Sequence, residues 1–378
     1  MESEVKPQTK IVDIQPISKG KRILAFLGDF FLVFIMTFVV FNALIMPVSN
    51  LMLDSTSRNN TSDNAAKEQF SILYKQKVMH YENDDDIYYY NANVEFTMNC
   101  FLSYYSFEDS DVLEAHPQYG HKIENEVIRH FYFDIRNQKE TYINLLNDFN
   151  KENNYFLIEG DNISLINEVK ANIKLSFFSP NDMSKDGQTM LANIQNGFMN
   201  FYAEVFKDIK ANDIVYEGKS YLAYDKIVTD ATNFFKWHLV IASLISYLIS
   251  VVVYFLVIPL IQKDHRTLAM MMMRITRIGT NNLYLLNNID NLVNTAFMIA
   301  FNISIVFFMP MTYVAFTYLF SIPMLPALLF IGLLLDTASM IFILVTFLNQ
   351  SLCDKLSRSV IIKNDDLDEI YRAKGYDV

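Results

Sequence analysis

The chain has 378 residues, 52% of them hydrophobic and 19% charged, with 31 lysines and arginines against 42 aspartates and glutamates and a formal net charge of −11. An acid excess of this size offers no basic surface for nucleic acid, ten glycines supply few phosphate-cradling loops, and two cysteines cannot build a disulfide framework. The mean hydropathy of +0.15 conceals an uneven distribution, because the apolar residues are gathered into a few long blocks.

The head, residues 1–22, carries Lys6, Lys10, Lys19, Lys21 and Arg22. Ile23 to Met46 then holds one formal charge, Asp29, and predicts a transmembrane helix over 23–46, since about 20 apolar residues cross a bilayer core. The run has no small-x-small exit and is too long for a signal-peptide core, so it is expected to remain as an anchor. Seven residues at 100° each return to within ~20° of the start, which places Arg22 and Asp29 on one helix face about 10 Å apart.

Residues 47–237 form an acidic segment: between Val48 and Phe234 there are 16 basic and 29 acidic side chains, 16 − 29 = −13. Its start, 47–69, is polar and linker-like. Helical spacing of Ile123, Val127, Phe131, Ile135, Tyr142, Leu145 and Phe149, and again in MLANIQNGFMNFYAEVFKDIK, predicts an α-rich domain. IYYYNANVEFTMNCFLSYY, rich in aromatic and β-branched residues, reads as its minor β component. HYENDDD sets His80 near Asp84 to Asp86, but it lacks the alternating ligands and glycine of a calcium loop and reads as a solvated acidic turn.

Leu239 to Ile261 is uncharged and predicts a second span over 238–261. The loop 262–291 sets methionines and a leucine against Arg266, Arg274 and Arg277, the pattern of an amphipathic helix on an anionic leaflet. No charge occurs between Asp290 and Asp336, a block too long for one span, and Pro323 and Pro326 divide it into spans at 292–318 and 325–348. The tail, 349–378, carries Lys355, Arg358, Lys363, Arg372 and Lys374. Basic residues cluster in the head, the 262–291 loop and the tail, so the positive-inside rule places both termini in the cytoplasm and 47–237 outside. The expected fold is therefore an all-α four-helix transmembrane bundle with an α-rich, minor-β extracytoplasmic domain, in the plasma membrane. Heavy use of Asn, Ile, Lys and Tyr points to an AT-rich bacterial genome. Cys100 and Cys353 fall on opposite sides and cannot bridge.

Asp336 lies about 11 residues into the fourth span, ~16 Å from its outer end and so near mid-membrane. Intramembrane carboxylates usually face a partner or a water-filled path; Asp29 and Asp336 are both such residues and, with Arg22 and Asp354, the candidates for transport, and Asn294, Asn302, Ser304 and Thr337 supply polar groups for such a site. The alternative is a purely structural role, with Arg22 neutralising Asp354 and with Asp29 accepting a hydrogen bond from Asn302 or Thr337. No zinc spacing, phosphate loop or nucleophile elbow occurs, so neither an enzyme nor a bound metal or cofactor is expected.

RILAFLGDF, with Arg22 and Asp29, and SLCDKLSRSVIIK, with Asp354, together resemble the RDD family of bacterial membrane proteins, named for an arginine and an aspartate in the first span and an aspartate after the last. TLAMMMMRITRI is similar to the segment following the family's second span: Thr267 is kept, while Ala269 and Met270 stand where the family has glycine and lysine. The resemblance covers residues 18–47 and 238–363 and none of the acidic domain. It implies transport of monovalent cations, protons or a small solute. The alternative is a non-enzymatic scaffold or receptor whose acidic domain binds a protein partner.

Overall fold

The computed structural model describes residues 15–81, 90–107, 126–262, 265–280, 283–286, 288–309, 318–319 and 322–373. It is 77% helical and separates into two compact units, Met1–Thr56 with Thr232–Val378, and Ser57–Ala231.

Helix α1 (Lys19–Met52) runs for 34 residues, past the predicted end at 46, through a π-turn at Phe41–Ile45. Ser18 starts it, its hydroxyl accepting the Lys21 N–H at 3.4 Å. Arg22, Ala25, Phe26, Asp29, Val33 and Thr37 share its buried face, while Leu24, Phe31, Ile35 and Phe38 lie exposed on the other. Charges inward and apolar side chains outward is the reverse of a water-exposed helix and is the arrangement that lipid solvates.

In the Ser57–Ala231 unit, α2 (Ser55–Lys75) replaces the expected linker: Ala65, Gln69, Ile72 and Leu73 recur at helical spacing on its buried face, so tertiary packing organises a segment poor in apolar residues. α3 (Tyr90–Ser106) replaces the expected strand. Its Val94, Phe96, Cys100, Phe101 and Tyr105 are all buried, and burial on a helical period outweighs β propensity. Ile123 and Asp84 to Asp86 lie outside the described residues. α4 (Val127–His130) continues as a π-turn to Ile135 and leads into α5 (Lys139–Asn153), which ends on Asn154 at φ +51. Strands β1 (Phe156–Glu159) and β2 (Asn162–Leu165) pair antiparallel around Gly160, whose φ of +64 suits the tight turn. α6 (Asn167–Phe178) and α7 (Lys185–Asn212) follow, and then the short hairpin β3 (Val215–Tyr216) and β4 (Lys219–Ser220). Phe131, Tyr142, Leu146, Phe198 and Val205 are fully buried at the centre of this unit.

Helix α8 (Tyr221–Ile261) is 41 residues long. Beyond it, the expected amphipathic helix reduces to the five-residue α9 (Leu268–Met272), followed by β5 (Ile275–Gly279), in which residues 275–278 are all buried. α10 (Asn288–Phe301) stops well short of the predicted 318, the chain continuing as a 3₁₀ stretch, Ile303–Phe308. Asn302 sits at the break, its amide donating to Met298 O at 3.1 Å. The short pair β6 (Tyr318–Leu319) and β7 (Ile322–Pro323) precedes α11 (Met324–Val345). Gly332 permits close approach here: a Cβ at 332 would stand 2.7 Å from Ser304 N. α12 (Leu352–Leu356), β8 (Ser359–Lys363) and α13 (Asn364–Ala373) complete the chain, with β8 antiparallel to β5 in the register Arg277↔Ile361. α1 and α8 are long and apolar enough to cross a membrane, and Phe330–Val345 of α11 is a shorter apolar helix.

Candidate functional site

The polar residues buried along α1 find their partners in distant parts of the sequence. Arg22 donates to Asp354 Oδ2 from Nε at 3.1 Å and from Nη2 at 2.5 Å, and to Ser351 Oγ from Nη2 at 3.1 Å. The two side chains are 2% and 1% exposed, so water screens this pair little. Asp354 is itself placed by a reciprocal cap of α12: its N–H donates to Ser351 Oγ at 3.1 Å, and its Oδ2 accepts the Ser351 N–H at 2.9 Å. Arg277 of β5 brings Nη2 to 3.4 Å from Asp354 Oδ1. Burial opposes ionisation of Asp354, but the Arg22 and Arg277 guanidiniums together hold its carboxyl below the usual carboxylate range.

Two turns further along α1 from Arg22 lies the second carboxylate. Asp29 Oδ1 accepts the Tyr254 hydroxyl at 2.8 Å and the Thr267 hydroxyl at 2.7 Å. Thr267 is also the N-cap of α9, its Oγ1 accepting the Met270 N–H at 3.3 Å, and the Ala269 N–H donates to the Tyr254 hydroxyl oxygen at 3.2 Å. Two guanidiniums and two carboxylates thus sit in one buried cluster that ties α1, α8, α9, β5 and α12 together.

The expected Arg22–Asp354 pair is present, whereas the expected partners of Asp29 are elsewhere. Thr337 is exposed and donates to Leu333 O, and the Asn302 amide is taken up by Met298. Asn294 Oδ1 accepts the Cys353 thiol at 3.3 Å, so Asn294 and Asn302 are held by other groups and do not assemble around Asp29 or Asp336. The three arginines expected on a lipid surface also divide. Arg274 is exposed and Arg266 half-buried, but Arg277 is 5% exposed inside the charge cluster, where strand pairing turns it inward.

Asp336 stands apart. Its Oδ2 accepts the Ser304 hydroxyl at 2.8 Å, while Oδ1, on a residue 8% exposed, has no hydrogen-bond partner among the described residues. An unpaired buried carboxylate oxygen is costly, which makes this position the strongest binding candidate in the unit. Among the described residues, no group of three or more His, Cys, Asp or Glu side chains is placed to hold a metal ion.

Tyr254, Thr267, Ser351 and Arg277 were not expected at the site. Ser351 carried a readable signal, the spacing Ser351-x-x-Asp354 of a reciprocal cap, and Thr267 stood out in the segment TLAMMMMRITRI. No protein-family model matches the chain, and neither a curated protein nor a solved structure is similar to it.

Proposed function

We propose that this is a four-span plasma-membrane protein of the RDD type that passes monovalent cations or protons, with Asp336 as the exchanging carboxylate and the Arg22–Asp29–Arg277–Asp354 cluster as a structural clasp. The spans are 23–46, 238–261, 292–318 and 325–348, with both termini cytoplasmic and 47–237 outside. The observation that carries the reading is the free Oδ1 of Asp336, buried and without a partner among the described residues. A carboxylate near mid-bilayer costs on the order of 2.5–3.5 kcal/mol on insertion scales, and a bound cation or proton offsets that cost. The clasp carboxylates, by contrast, already have guanidinium or hydroxyl partners.

The test is proton and monovalent-cation flux in liposomes containing the purified protein. Asp336→Asn should abolish flux, while Asp29→Asn, whose amide oxygen can still accept from Tyr254 and Thr267, should retain it. Undiminished flux in Asp336→Asn would overturn the assignment. A second reading, that of a receptor, is favoured by the separate core of Ser57–Ala231. Deleting that unit leaves the flux of a transporter intact and removes the activity of a receptor.

A further inference from the structure

The amphipathic pattern after α8 predicts a helix lying on the leaflet, but the contacts of α9 set it at another level. Tyr254 of α8 donates to Asp29 of α1 at 2.8 Å, and His238 meets Ser49 Oγ at 2.8 Å, so the two long helices run antiparallel. Arg22 lies seven residues before Asp29, and Ile261, the end of α8, lies seven residues after Tyr254, each ~10 Å along its helix at about 1.5 Å per residue. Arg22 and Ile261 therefore stand at one level. From Ile261 the chain turns back. Thr267 donates its hydroxyl to Asp29 Oδ1 at 2.7 Å, the Ala269 N–H reaches the Tyr254 hydroxyl oxygen, and a Cβ at Gly28 would stand 3.3 Å from the Ala269 Cβ. Met270 then shares a buried cluster with Ala25, and Ile275 the same cluster with Ile17, ahead of α1. Thr267 is thus the innermost point of a loop that returns outward through α9 to β5.

Irregular chain enters hydrocarbon only where its main-chain polar groups have partners. Here the N–H groups of Ala269, Met270, Met271, Met273 and Arg274 are taken by the Tyr254 hydroxyl, Thr267 Oγ1, Thr267 O, Ala269 O and Met271 O. Thr267, Ala269 and Met270 are buried against α1 and α8, while Leu268 and Met272, at i and i+4 on the opposite face, are 37% and 79% exposed. The long helices expose the same chemistry at this level, Leu24 and Leu27 on α1 and Val257, Leu260 and Ile261 on α8. The outer face of α9 therefore extends their apolar band, and the medium that solvates them is the one that suits it.

We propose that residues 265–274 form a re-entrant segment, set about 10 Å into the cytoplasmic leaflet, whose Leu268 and Met272 pack against phospholipid acyl chains. The proposal rests on the membrane reading above and concerns lipid as the partner, not what the helices pass.

The protein has one tryptophan, Trp237, so in a Trp237→Phe background an introduced tryptophan reports its own surroundings. Full-length Met272→Trp, Leu268→Trp and Phe31→Trp, the last on the exposed face of α1, are reconstituted in phosphatidylcholine vesicles with or without bromine along the acyl chains. Emission from Met272→Trp and Leu268→Trp should be shifted to the blue and lose most of its intensity in the brominated vesicles, as Phe31→Trp does, while aqueous acrylamide removes little. Quenching of Met272→Trp by acrylamide and not by brominated lipid would put the segment on the surface, and blue-shifted emission that brominated lipid leaves intact would put it under protein. Either result, beside a quenched Phe31→Trp, overturns the re-entrant segment and leaves the membrane reading standing. An unquenched Phe31→Trp overturns both. If Met272→Trp does not fold, the same outcomes are read from Leu268→Trp.

Discussion

Glu126 offers the sharpest quantitative test of the Ser57–Ala231 unit. It caps α4 with both oxygens, Oε1 accepting the Ile128 N–H at 2.8 Å and Oε2 the Arg129 N–H at 2.6 Å, and Oε2 also accepts the Tyr142 hydroxyl at 3.2 Å. Tyr142 in turn touches the Tyr105 hydroxyl at 3.1 Å. Burial raises the Glu126 carboxyl from 4.5 to about 7, despite these hydrogen bonds and the nearby Arg129. In the unfolded chain the group ionises near its ordinary value, so between pH 4.5 and about 7 the folded state keeps a proton that the unfolded state has lost. Stability from this group is therefore complete below 4.5 and falls as pH rises, by up to about 1.4 kcal/mol per pH unit and about 3 kcal/mol in all by pH 8. Glu126→Gln removes the titration and costs about 1 kcal/mol, because one amide corner turns an N–H toward a main-chain N–H. Urea unfolding of the Ser57–Ala231 fragment, followed by circular dichroism, should find the variant about 1 kcal/mol less stable than the parent near pH 4 and about 2 kcal/mol more stable near pH 8. The difference between the two proteins isolates this carboxyl from every other titration. A difference that stays flat across that range would refute the reasoning, and a fragment without a cooperative transition would refute the independence of the unit's core.

Arg22→Ala leaves the buried Asp354 carboxylate with Arg277 alone at 3.4 Å, so melting in detergent should fall as for a loss of about 3–5 kcal/mol, and adding Asp354→Asn should restore part of it. Gly197→Ala places a Cβ 2.6 Å from the Phe149 ring, and denaturant unfolding should report a loss of about 1–3 kcal/mol from overpacking α7 against α5. Cys100 and Cys353 are 2% and 1% exposed, and burial pushes the Cys353 thiol up to about 12; both should resist maleimide in the native protein and react in sodium dodecyl sulfate. With the native thiols silent, a membrane-impermeant maleimide on intact cells should label Lys210→Cys and spare Arg274→Cys, two exposed positions; the opposite pattern would invert the proposed topology.

The apolar blocks were legible because length and composition alone define a helix able to cross a bilayer. α1 and α8 follow from Ile23–Met46 and Leu239–Ile261 almost directly. α10 does not follow, since nothing in a run free of charges announces that Asn302 will break the helix and that Gly332 will let α11 approach the backbone at Ser304. In the Ser57–Ala231 unit, composition misled twice. Residues 90–106 are rich in strand formers, yet their burial falls on a helical period, and the polar residues 55–75 fold because four positions suffice to anchor one face. Both outcomes depend on neighbours that local propensity does not contain.

The clasp shows where spacing arguments stop. A spacing of seven from Arg22 to Asp29 correctly puts both on one face of α1, but that face meets two different surroundings. Arg22 meets a carboxylate 332 residues further on, and Asp29 meets hydroxyls 225 and 238 residues further on. Thr267 is the informative member. Its hydroxyl donates to Asp29 and accepts the Met270 N–H, so one side chain both starts α9 and pairs a buried carboxylate. Ala269 joins through its main-chain N–H to Tyr254, and a Cβ at Gly28 would stand 3.3 Å from the Ala269 Cβ, so small side chains meet on both sides of this contact. At 269 the contact therefore needs a backbone donor and little volume, and at 267 a hydroxyl that can donate and accept at once. Thr267→Ser should preserve the clasp, whereas Thr267→Val, equal in size and without the hydroxyl, should leave Asp29 with Tyr254 alone and α9 uncapped. The thermal stability of the Val variant in detergent should fall by about 1–3 kcal/mol relative to the Ser variant, and equal stability of the two would show that Thr267 acts only by its volume.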